Sequence, residues 1–146
     1  ILRHRSFHFQ EFSQRYADVG ILGDAVLREA RMKHPTNRQM SLPCMDADLW
    51  ATWGMMQENV VTQVKYYYEG ALKSGIAKEV ARAILPEGLT PTKMHMNGTI
   101  RDWIHFIKVR THETAQKEVR MVAESAKAIF AENMPVIAAA VFGGDE

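Results

Sequence analysis

Between Asp46 and Lys73 the apolar side chains fall at every third or fourth position: Leu49, Trp53, Met56, Val60, Val64, Tyr67 and Ala71. That rhythm follows the 3.6-residue turn of an α-helix and draws one apolar stripe along it. Asp46 or Asp48 can cap its start, and the Lys73-Ser74-Gly75 break closes it. So long a stripe limits the fold, because something must cover it: the chain's own core or a partner subunit.

Shorter elements surround it. Residues 76–85 predict a second helix, stopped by Pro86. "TPTKMHMNGT" reads as an extended strand, and Gly98 allows the turn into a third helix capped by Thr99, with Ile100, Trp103, Ile104 and Ile107 facing inward. A last helix over 114–133 has Val119, Val122, Ala126 and Ile129 as its apolar side, and Pro135 with "FGGDE" ends the ordered chain. "DAVLREARMKH" is helix-prone and "PTNRQMSLP" a loop. Residues 1–16 read as extended, with Glu11, Ser13 and Arg15 on one face and Gln10, Phe12 and Gln14 on the other. One straight strand cannot serve one ligand: at about 3.3 Å per residue, Arg3 would lie about 40 Å from Arg15. Either the chain turns back or its two ends serve different sites. The sum is a single α+β domain over 1–146, mainly helical with a few short strands.

The 146 residues carry a net charge of +1, too little for a domain that lives by gripping polynucleotide phosphates. The charge is uneven: residues 1–40 hold seven Arg/Lys against four Asp/Glu, and the remainder eleven against thirteen. A local positive potential suits a small anion better than a polymer. The lone Cys44 forbids an internal disulfide, pointing to a reducing cytoplasm, and no neighbouring base makes it a nucleophile. No apolar run approaches the roughly 20 residues of a membrane span. The chain opens on Ile1, two residues before its densest motif, and reads as a fragment lacking its N-terminal part.

Candidate chemistry sits in three places. "RHRSFHFQEFSQRY" (3–16) concentrates three arginines, two histidines, a glutamate and two serines among aromatics. Arg82, in "EVARAILP", lies on a helix whose other face is apolar; a salt bridge to Glu79 or Glu87 is its plain alternative. In "TIRDWIHFIKVR", Arg101, His105 and Lys108 share one side of a helix, with Arg110 about 180° round. No metal site is expected: His4 and His8 on a strand would be about 13 Å apart, too far for one ion, and no HExxH or Cys/His cluster exists. GxSxG, Walker A and GxGxxG are all missing. A phosphate here must be held by arginines, hydroxyls and main-chain N–H groups.

Arg3-His4-Arg5, seven residues and then Ser13, followed by Arg15 and Tyr16, form an RHR-x7-Ser signature. With "EVARAILP", "GTIRDWIHFIKVR" and "AQKE" in order downstream, the chain resembles the flavin-dependent thymidylate synthases, also called thymidylate synthase complementing proteins. The resemblance covers nearly the whole chain but about two thirds of a typical member, without the N-terminal third. It implies a fold that packs helices on a small antiparallel sheet. It also implies conversion of dUMP to dTMP, with methylenetetrahydrofolate giving the one-carbon unit and FAD, reduced by NADPH, giving the hydride. Members are homotetramers whose active sites draw on several chains.

The resemblance also assigns roles. His4, Arg5 and Ser6 match flavin-contacting positions, and Arg3 the junction of nucleotide and flavin. Glu11, Phe12, Ser13, Gln14 and Arg15 match the segment that wraps dUMP, with Glu11 also near the flavin; Arg82 matches a further dUMP arginine. Thr99, Ile100 and Arg101 match a flavin-binding triplet, with Asn97 a competing choice for the place of Thr99, and His105 another flavin position. Arg110 matches the arginine at the uracil ring and is the expected catalytic residue; Ser13 would be a ligand, not a nucleophile. A family histidine falls at or near Thr114 here. Two rival readings remain: a non-enzymatic helical module binding RNA or another polyanion, and a degenerate homologue that binds nucleotide without catalysis.

Overall fold

The computed structural model describes residues 1–17, 20, 23–38 and 40–143. In chain order its elements are β1 (His8–Glu11), β2 (Arg31–Lys33), β3 (Ser41–Pro43), α1 (Ala47–Lys73), α2 (Lys78–Ala81), a 3-10 turn (Arg82–Ile84), β4 (Met94–Asn97), α3 (Ile100–Arg110), α4 (Lys117–Asn133) and α5 (Pro135–Phe142). β1 pairs with β4 and β2 with β3, giving two small antiparallel sheets in an α+β fold dominated by helices. The chain divides into two compact units: Ile1–Phe9 with Lys33–Leu42 and Met96–Glu146, and Gln10–Met32 with Pro43–His95.

The first unit holds an aromatic core. Phe106 and Ile107 of α3 are fully buried, and Phe7, Ala123, Ala138 and Phe142 join them. Phe9 and Met96, from β1 and β4, pack on this cluster, so helices do cover a small sheet. The rings meet edge to face, the arrangement their quadrupoles favour: Phe7 and Trp103 at 5.1 Å, Trp103 and Phe106 at 5.9 Å, Phe130 and Phe142 at 5.7 Å. Phe7 lies so close to Gly98 that a Cβ there would come within 2.5 Å of its ring. Gly98 therefore serves close approach as well as the turn into α3.

In the second unit Asp46 caps α1, accepting the Leu49 N–H at 3.0 Å, and Gly75 at φ +83° turns the chain out of the helix. The apolar stripe splits. Val64 and Ala71 are half-buried beside the buried Gln57 and Tyr68, whereas Leu49, Trp53, Met56, Val60 and Tyr67 are exposed. Gln57 is tolerated inside because its amide accepts the Arg28 N–H at 2.7 Å and donates to the Arg28 carbonyl at 2.9 Å. The Trp53 indole N–H donates to that same carbonyl at 2.9 Å.

Several expectations are corrected. Residues 24–34 are not helical: these bonds, with Val26 N–H on the Leu89 carbonyl, hold the segment open as far as β2, and tertiary bonding outweighs propensity. The extended reading of 1–16 survives only in β1, since turns close from His4 N–H to Ile1 and from Phe7 N–H to His4 before it, and from Tyr16 N–H to Ser13 after it. Ile100 is exposed rather than inward. The inner face of α4 runs through Ala123, Ala126 and Phe130, not Val122 and Ile129. Pro135 starts α5 instead of ending order, as a proline at the first helical position can.

Candidate functional site

The first unit holds the expected flavin positions other than Glu11, together with the expected catalytic Arg110. Thr99 caps α3 through a reciprocal box: its Oγ1 accepts the Asp102 N–H at 3.3 Å, and its own N–H and hydroxyl donate to Asp102 Oδ2 at 2.8 and 2.6 Å. These bonds, the side-chain one foremost, hold the Asp102 carboxyl below its ordinary value, with help from Ser6. Ser6 and Thr99 thus share one carboxylate. The box fixes where α3 begins, and so where Ile100, Arg101 and His105 leave the helix; all three are exposed. Asn97 ends β4 and is exposed as well.

At the other end of α3, Arg110 is half-buried and its Nε donates to His4 Nε2 at 2.8 Å. The His4 ring stands edge-on to Phe106 at 5.2 Å and to His105 at 6.3 Å. Burial first, and then the Arg110 charge, push the His4 imidazole below its ordinary value. Arg3 and Arg5, on either side of His4, are exposed.

The second unit holds Glu11, Phe12, Ser13, Gln14, Arg15 and Arg82 of the expected dUMP positions, whereas Arg3 and Arg110 belong to the first. Phe12 N–H donates to the Lys93 carbonyl at 2.8 Å, and the Thr92 hydroxyl donates to Glu11 Oε1 at 2.9 Å. The chain then turns, the Ser13 carbonyl accepting the N–H groups of Tyr16 and Ala17. Among the described residues, the N–H groups of Ser13, Gln14 and Arg15 donate to nothing. Arg15 lies 3.8 Å from the Glu79 carboxylate and over the Tyr16 ring, and the Arg82 Nε donates to the Glu79 carbonyl at 3.3 Å. Two cations far apart in sequence therefore meet on one residue, and both are exposed to an incoming anion.

Sequence reasoning missed two of these anchors: the Asp102 box, readable as Thr-x-x-Asp, and Thr92 on Glu11, which carries no local signal. Glu79 is foreseen as a partner of Arg82, but the bond goes to its main-chain carbonyl. A cavity of about 770 Å³ in the second unit, lined by Val61, Lys65, Tyr68, Leu85 and Pro91 among others, contains none of the expected site residues. Among the described residues no cluster of side chains could hold a metal ion, and no helix is long and apolar enough to cross a membrane.

The sequence model of the thymidylate synthase complementing protein family matches residues 1–136. The chain is 48% identical over 141 residues to a probable flavin-dependent thymidylate synthase of Paramecium bursaria Chlorella virus 1, and 43% identical over 141 residues to a flavin-dependent thymidylate synthase of Synechocystis. Each alignment takes in 97% of this chain and 64% of the relative, so the chain spans less than two thirds of either protein. A crystal structure of the UMP/dUMP methylase PolB from Streptomyces cacaoi, bound with 5-Br UMP, superposes with a TM-score of 0.81 at 30% identity, over 97% of this chain and 66% of that one. The chain belongs to the thymidylate synthase complementing protein family.

Proposed function

We propose that this chain carries the nucleotide and flavin sites of an enzyme that reductively methylates dUMP to dTMP. The observation that carries the reading is the meeting of Arg15 and Arg82 on Glu79, beside a turn whose N–H groups at 13–15 are unspent. A monophosphate dianion displaces a weak, exposed ion pair and gains charge-assisted bonds. Glu11, Phe12, Ser13 and Gln14 complete the dUMP segment, and Arg3 stands at the junction with the flavin.

The donor set of the first unit fits a flavin dinucleotide. Arg101 and Arg5 offer exposed charge to a pyrophosphate, and Ser6, Thr99, Ile100, His4 and His105 lie along the same helix and turn. When bound, FAD reduced by NADPH supplies the hydride, and methylenetetrahydrofolate supplies the carbon. The protein's own part is to place the nucleotide and to set charge at its ring. Arg110 at uracil favours ionisation at N3 and polarises the ring. Ser13 binds and does not attack.

The exposed apolar residues of α1 fit self-association; the family resemblance extends this to a cytoplasmic homotetramer in which each active site draws on more than one chain. Purified intact protein should bind FAD with an absorbance band at about 450 nm, a property of the cofactor. It should also release tritium from 5-labelled dUMP. Salt-steep polynucleotide binding without a flavin band would overturn the reading in favour of a polyanion-binding module.

A further inference from the structure

We infer that His4 is a positioning residue for Arg110: its neutral Nε2 takes the Arg110 Nε–H, which fixes the guanidinium plane and leaves the two Nη groups as the edge offered to a ligand. The inference rests on the reading of Arg110 as the uracil-facing cation.

Each end of the pair is held independently. The main chain of His4 is pinned by its N–H on the Ile1 carbonyl at 3.0 Å and by its carbonyl accepting Phe7 N–H at 3.2 Å. Its ring rests edge-on against Phe106, which is fully buried, so one side of the imidazole is held by the core. Arg110 is the last residue of α3, where the helix dipole favours a cation. An arginine side chain has many rotamers, and holding one in advance spares that ordering cost when a ligand binds.

The bond has a protonation requirement. To accept at Nε2, a neutral imidazole must carry its proton on Nδ1; an imidazolium has no acceptor left. Protonation of His4 would therefore turn the bond into a clash of two N–H groups and set two cations together. The charged and titratable groups that face the ring are Arg110 and His105 of α3 and the amino group of Ile1, and none of them stabilises an imidazolium. Burial acts in the same direction. His4 thus stays an acceptor at neutral pH and releases Arg110 only in acid.

The test compares His4→Gln and His4→Ala in the intact protein, with kcat and KM for dUMP followed from pH 5 to 9. Glutamine offers a carbonyl acceptor that does not titrate. With FAD saturating, His4→Gln should recover most of the kcat that His4→Ala loses at pH 8, and it should lack the acid-side fall of the parent. His4→Ala, assayed with FAD saturating, should lower kcat by about tenfold to a hundredfold, the range a misplaced group costs. Equal loss in both variants at every pH, or a loss confined to FAD affinity, would overturn the inference.

A second readout needs no turnover. In protein labelled with nitrogen-15 histidine, His4 should show the Nδ1–H tautomer, and Arg110→Ala should raise its titration midpoint. An Nε2–H tautomer would sink the inference even if dTMP is made. If the parent binds no flavin and makes no dTMP while the tautomer is as stated, the functional reading fails and the His4–Arg110 pairing stands.

Discussion

Arg15 and Arg82 engage Glu79 through different atoms: the Arg15 Nη2 faces the carboxylate at 3.8 Å, and the Arg82 Nε donates to the main-chain carbonyl at 3.3 Å. Only the first of these contacts depends on the glutamate side chain. The two arginines therefore respond differently to its removal.

Glu79→Gln should lower the KM for dUMP by up to about fivefold, because an exposed pair of this kind is worth about 0.2–1 kcal/mol and competes with the phosphate. Arg15→Ala and Arg82→Ala should each raise that KM by about tenfold or more, since each removes a charge-assisted bond of about 1.5–3 kcal/mol. Initial rates against dUMP concentration separate the three variants.

Gly98→Ala should destabilise the protein by about 1–3 kcal/mol, the usual cost of overpacking. The new methyl would meet Phe7 Cδ1 at 2.5 Å and Cε1 at 2.7 Å, and that ring is wedged against Trp103 and Phe106. Urea unfolding measures the loss, and a second change, Phe7→Leu, should recover part of it.

Acid should weaken the fold in two windows. His4 holds fewer protons folded than unfolded just below pH 6.5, because its folded value is depressed; stability therefore falls as pH drops through that range. Asp102, also depressed, contributes stability that is complete above its ordinary value of 3.8 and is lost as pH falls through its folded value. Thermal midpoints against pH should lose the upper slope in His4→Gln and the lower slope in Asp102→Asn.

In the proposed homotetramer, Val60→Glu, on the exposed side of α1, should leave helix content unchanged and reduce the assembled mass seen by light scattering. Activity should fall in step with dissociation. A tetramer that forms unaltered would remove α1 from the subunit interface.

What was legible in the sequence was mostly local. The Asp46 and Thr99 caps, the 3.6-residue rhythm of α1 and the Pro86 stop each arise from neighbouring residues, and the structure keeps them. Of the expected site residues, Arg15 and Arg82 meet on Glu79, and His4 meets Arg110. The losses came where distant atoms decide. Arg28 is drawn out of a helix by Gln57, 29 residues away, and His4 meets Arg110 across 106 positions. Neither partner announces itself by composition or spacing. Arg110 was expected as a lone cation about 180° from the other basic groups of α3; its imidazole partner follows from the turns that fold residues 1–7 back.

Three tryptophans divide their duties by location. Trp103 is packed among core rings of the first unit, whereas on α1 of the second Trp50 is exposed and Trp53 is exposed with its indole N–H on the Arg28 carbonyl. The chain thus carries built-in fluorophores with opposite tendencies. Loss of the core reddens the emission of one, and any surface that settles over α1 shifts the other two to the blue. A single emission spectrum therefore mixes two processes, and replacing Trp103 with phenylalanine would leave a signal that reports on α1 and the Arg28 segment bonded to it.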